Sequence, residues 1–203
     1  MKNKQAELIK DIPDGVLVLN VWLSQAIVLA LSAILAFFLF DDLSDFLTLF
    51  QLDDPVIGWG ALAGIGVVII DLILMKVVPA SFYDDGGINE RVFRNLSYAH
   101  IFLLTAVVAC CEEILFRGVI QSNTNLWIAS IIFALVHYRY LFNPFLLINV
   151  SLLSLFMGLL FEVTNNVVVS IAAHFIIDFL LGIFIKVKYA KTKKTDYESE
   201  ECS

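Results

Sequence analysis

The sequence predicts an all-α fold: a polytopic membrane bundle of about six transmembrane helices with both termini on the cytoplasmic side. Three observations carry this expectation. Of the 203 residues, 60% are hydrophobic and 16% charged, whereas a soluble domain carries roughly a quarter charged residues. Apolar runs recur along the chain, each close to the stretch of about 20 residues that crosses a hydrocarbon core of about 30 Å. Lys and Arg fall in alternate connections, the pattern of cytoplasmic loops.

Residues 1–15 (MKNKQAELIKDIPDG) are polar and lead into an apolar run too long for a signal-peptide core and without a small-residue cleavage site. The run 16–40 is therefore expected to be retained as the first helix. A loop with Asp41, Asp42, Asp45, Asp53 and Asp54 separates it from a second span over 56–80. Residues 81–97 form a polar connector with a Gly86-Gly87 turn signal, and 98–121 reads as the third helix. Asn123 to Asn125 breaks that helix. A fourth is expected over 126–141, a fifth over 145–163 after Pro144, and a sixth over 167–187 after a Thr-Asn-Asn cap signal. The chain reads as one integral membrane domain over 1–203 that ends in a polar tail at 188–203.

Positive charge tests that count. Lys2, Lys4 and Lys10 precede the first span, Lys76, Arg91 and Arg94 flank the second connector, Arg139 ends the fourth span, and Lys186, Lys188, Lys191, Lys193 and Lys194 follow the sixth. The first, third and fifth loops have none, so six passes put both termini in the cytoplasm. The net charge of −7 resides mainly in the first loop and in Asp196, Glu198, Glu200 and Glu201, which argues against a nucleic-acid partner. Cys110, Cys111 and Cys202 form neither a disulfide framework nor a metal spacing. As neither Cys110 nor Cys111 has a motif-linked base, both are read as small apolar residues.

Ionisable side chains inside spans need a reason, since each costs roughly 2.5 to 3.5 kcal/mol on insertion scales. Glu113 and Arg117 are i and i+4 on the third helix and can pair. Glu112 points about 100° away from Glu113 and needs a different partner. His174 and Asp178 repeat the i, i+4 spacing on the sixth helix, as Phe133 and His137 do on the fourth. A carboxylate and two imidazoles from three helices can activate water directly, or can hold a metal whose bound water is acidified. The structural alternatives are an ion-paired helix clamp and hydrogen-bonded packing histidines. Asp71 lies within the second span with no sequence-local partner, and His100, near the membrane interface, is expected to be solvated. Gly60, Gly64 and Gly66 read as close-packing positions for a neighbouring helix.

Glu112-Glu113-x-x-x-Arg117, Phe133-x-x-x-His137 and His174-x-x-x-Asp178, in this order on successive helices, resemble the motifs of the CAAX protease and bacteriocin-processing (CPBP, or Abi) family of intramembrane proteases. The resemblance spans a core over 98–182, and the first two helices carry no family signature. It implies peptide-bond hydrolysis within a helix-bundle cavity in a bacterial cytoplasmic membrane, on a membrane-associated peptide or protein. By position, Glu112 would activate water with help from His137. Glu113 and Arg117 would support the site, and His174 with residue 178 would stabilise the oxyanion. Many members carry asparagine where this chain has Asp178; an ionised aspartate cannot donate to an oxyanion, so Asp178 would be protonated, orient His174, or ligate water or metal. Both a zinc-type site of Glu112, His137 and His174 and a metal-free glutamate mechanism are compatible with the resemblance. The family's roles also admit a noncatalytic immunity or scaffold protein, and Glu112 with Asp71 admits a proton relay in a transporter. The ending Glu-Cys-Ser is not a CaaX box.

Overall fold

The computed structural model describes residues 10–52, 55–140 and 143–201, with side chains described to residue 192. Lys2, Lys4, Asp53, Asp54 and Cys202 lie outside the described residues, as do the side chains of Lys193, Lys194 and the acidic tail. The fold is helical throughout: α1 Asp14–Leu39, α2 Leu43–Leu47, α3 Ile57–Val77, α4 Ile88–Phe93, α5 Tyr98–Glu113, α6 Leu126–Val136, α7 Pro144–Thr164 and α8 Val167–Glu201. Among the described residues five helical stretches are long and apolar enough to cross a membrane, in α1, α3, α5 with its continuation, α7 and α8.

Caps written in the sequence set several boundaries. Ser97 accepts a hydrogen bond from His100 N at the start of α5, Asn125 accepts from Ile128 N at the start of α6, and Asn143 accepts from Leu146 N ahead of Pro144 in the first turn of α7; each satisfies an amide that the first helical turn leaves unpaired. The Thr-Asn-Asn signal is two devices. Asn165, at φ 47°, closes α7 in the left-handed region, and the buried Asn166 accepts from Val168 N to open α8. Asn166 also donates to Gln51 O at 2.9 Å and accepts from Gln51 N at 3.3 Å, tying this turn to the first loop.

The fourth expected span differs most. It is only 11 residues long, about 16 Å at 1.5 Å per residue, and cannot cross a bilayer alone. His137 ends it: the backbone there leaves helical geometry (φ −82°, ψ 39°) and Tyr138–Tyr140 forms a short 3-10 turn. Even so, α6 returns the chain to the end of the bundle from which α5 came. At that end Asp14 pairs with Arg91 (2.9 Å) and Arg94 (2.7 Å), Arg139 donates to Asn89, Asn143 donates to Asp84 O, and Lys186 donates to Leu96 O. At the other end Val167 N donates to Leu49 O, and Phe46 lies beside Gly118. The start of α1 and Lys186 of α8 thus share the basic end, as six passes require. Beyond 187, where the last helix was expected to stop, α8 continues to Glu201.

Two glycines set the closest helix contact. A Cβ on Gly60 would lie 2.4 Å from Val169 O, and one on Gly64 would lie 2.6 Å from Ala173 O, so α3 and α8 run parallel at backbone contact. Gly66 does not share this role, since a Cβ there would meet nothing within 4 Å. His100, expected to be solvated, instead accepts from Trp22 Nε1 at 3.3 Å and is partly buried between α1 and α5. That bond gives a polar interface pair a partner inside the bundle.

Candidate active site

The helix carrying the two glutamates does not remain α-helical. After Glu113 it continues as a π-helix over Ile114–Gln121, in which amides reach back five residues; Ser122 N donates to Arg117 O. Such segments concentrate at functional sites because they widen the turn and re-aim side chains. Arg117 sits within this segment and Glu113 immediately before it, and the expected pair forms, Nε to Oε2 at 3.1 Å with both side chains fully buried.

Around the pair most polar atoms are partnered across helices, although Arg117 Nη1 is buried with no hydrogen-bond partner among the described residues. Arg117 Nη2 donates to the carbonyl (3.0 Å) and hydroxyl (3.1 Å) oxygens of Ser154 on α7, and its guanidinium lies over the Phe133 ring of α6. The second Glu113 oxygen lies 2.9 Å from His174 Nδ1, and His174 Nε2 lies 3.5 Å from Asp178 Oδ2. Arg117, Glu113, His174 and Asp178 therefore form one line of charge-assisted contacts through α5 and α8. With its accepting oxygens engaged by Arg117 and His174, Glu113 is a structural anchor for the imidazole, a link that sequence spacing did not reveal.

Glu112 lies apart from this line, as its angular offset required. It is partly exposed and lines a cavity of about 820 Å³ within the bundle. His137, His174, Asp178 and Asp71 line the same cavity, which reaches Tyr83, Asp85, Asn89 and Arg139 at the basic end. His137 is stacked on Phe133 with centroids 4.4 Å apart, and its Nδ1 lies 2.8 Å from Phe133 O. A carbonyl only accepts, so Nδ1 carries a proton, and in the neutral ring Nε2 is the nitrogen with the lone pair. Asp71 makes no hydrogen bond or ion pair among the described residues and faces the cavity from α3.

Glu112 does find one protein partner, on a helix that sequence reasoning left without a role. Gln25 of α1, 4% exposed, donates from Nε2 to Glu112 Oε1 at 3.2 Å. The available signal was the polar series Asn20, Ser24 and Gln25 in an otherwise apolar span; all three line the cavity. Glu112, His137 and His174, one of the two arrangements compatible with the sequence, are not grouped to hold an ion, and no three His, Cys, Asp or Glu side chains among the described residues are. One ring nitrogen of each histidine is engaged with Phe133 O or Glu113.

Residues 94–180 match the family model described as type II CAAX prenyl endopeptidase Rce1-like. The chain is also 39% identical over 179 residues to the uncharacterized protein YpbD of Bacillus subtilis (strain 168), an alignment covering 88% of this chain and 95% of YpbD. No solved structure matches.

Proposed function

The chain belongs to the Rce1-like family of CAAX prenyl endopeptidases, within the CPBP/Abi proteases, and on that premise we propose that it hydrolyses a peptide bond of a membrane-associated peptide or protein inside the central cavity, in a bacterial cytoplasmic membrane. Glu112 is the general base. It takes a proton from water as the water oxygen bonds to the scissile carbonyl carbon, and returns that proton to the leaving amine as the C–N bond breaks. His137 helps hold the water through the lone pair on Nε2. His174 donates from Nδ1 to Glu113, and a proton on Nε2, which lies beside Asp178 on the cavity wall, would be the one offered to the developing oxyanion. Asp178 then orients and balances His174 and is not itself an oxyanion donor, which accounts for a carboxylate at this position.

The observation that carries the reading is that Glu112, His137 and His174 all line one cavity while Glu113 and Arg117 are packed behind it. Reconstituted protein cleaving a peptide substrate supplies the test. Glu112→Gln and His137→Ala should each lose roughly 10²- to 10⁴-fold in kcat, the range for a positioned acid or base, while remaining membrane-inserted. A Glu112→Gln protein with the wild-type rate would overturn the assignment. Chelator treatment should leave the wild-type rate unchanged; inhibition reversed by Zn²⁺ would instead favour a metal-assisted step.

A further inference from the structure

We infer that Gln25, on the first helix and outside the family-matched segment, is a positioning residue that fixes the carboxylate of Glu112. The inference rests on Glu112 being the base, and begins from the cost of keeping this side chain where it is. Gln25 is buried, and its carbonyl oxygen Oε1 is inaccessible and has no hydrogen-bond partner among the described residues. A buried acceptor left unmatched bears its full desolvation penalty, and a methionine of similar volume would avoid it. Among the described residues the side-chain hydrogen bond of this amide goes to the cavity-facing glutamate.

Geometry says what that bond does. Glu113 is held by Arg117 and by His174, whereas Glu112 is held among the described residues by Gln25 alone. With Oε1 of Glu112 engaged by the amide N–H, carboxylate rotation is restrained and Oε2 is the oxygen left to take the proton of water. Proton transfer depends steeply on such alignment. Val21, which also lines the cavity from α1, has an apolar side chain and no hydrogen bond to offer Glu112. The catalytic unit therefore extends to α1, beyond residues 94–180.

Steady-state kinetics of the reconstituted full chain test this. Gln25→Met should lower kcat at least tenfold, keep KM within about twofold and leave the thermal midpoint unchanged or raised. Gln25→Glu keeps the shape but replaces the amide donor with a second carboxylate, and should lower kcat similarly. Wild-type kcat in Gln25→Met overturns the inference. So does a Gln25→Met loss that follows a lowered midpoint while Gln25→Glu retains wild-type kcat. If Glu112→Gln is itself active, the protease mechanism fails; if Glu112→Gln is dead and Gln25→Met is not, only the role of Gln25 fails.

Discussion

Arg117 shows how a fully buried charge is tolerated in this bundle. Its guanidinium meets a carboxylate, a carbonyl, a hydroxyl and an aromatic face at once, and removing one partner of such a pair typically costs about 3–5 kcal/mol because the other charge is stranded. Arg117→Met should therefore lower unfolding stability by about that amount in a detergent denaturation series. Adding Glu113→Leu should recover most of the stability without recovering cleavage, since His174 would lose the acceptor that orients it. Stability and activity restored together would show that Glu113 acts only as a counter-ion. Asp71 belongs to the cavity wall and touches neither Glu112 nor His174 through any hydrogen bond or ion pair. Asp71→Asn should accordingly change KM more than kcat in the same cleavage assay; a kcat loss as large as that of Glu112→Gln would place it in the chemistry.

At the scale of elements, contact between α3 and α8 depends on missing side chains. These are parallel helices that touch backbone to backbone at Gly60 and Gly64, and overpacking such a contact costs typically 1–3 kcal/mol. Gly64→Leu should lower the thermal midpoint in detergent by that order and displace α8, which carries His174, so activity should fall with it. Gly66→Ala, facing open space on the same helix, should be neutral or stabilise by up to about 1 kcal/mol through helix propensity. Equal effects at the two glycines would contradict the packing described. The short α6 and the π-helical end of α5 act together. α6 stops at Val136, and the ring of His137, at its cap, lines the cavity.

For the whole molecule, the two ends differ in charge. Asp41, Asp42 and Asp45 lie at one end, and Lys76, Arg91, Arg94, Arg139 and Lys186 gather at the other, where the cavity also reaches its most polar lining residues. From the excess of Lys and Arg we propose that the second end is the cytoplasmic one and that substrate enters from that side. A membrane-impermeant maleimide should label Asp45→Cys on intact cells and Asp84→Cys only after permeabilisation, with Cys110, Cys111 and Cys202 replaced beforehand. The reverse pattern would invert the topology.

What the sequence determined by itself was everything that repeats along one chain segment. Composition and run length specified a helical membrane bundle, Lys and Arg placement specified its parity, and i, i+4 spacing specified the Glu113–Arg117 and His174–Asp178 pairs, because a helix brings such residues together wherever it lies. Three motifs in order were enough to point to the family. Contacts between helices were decided only by the tertiary structure: Glu113 with His174, Ser154 with Arg117, Trp22 with His100, and Gln25 with Glu112. The reason is physical. Helices that are apolar on every side carry no stripe to show which face meets which neighbour, and neither the π-helical turn nor the early stop at His137 has a spacing signature of its own. The sequence could thus name the groups able to activate water, while packing left Glu112, and not Glu113, on the cavity wall and set Gln25 against it.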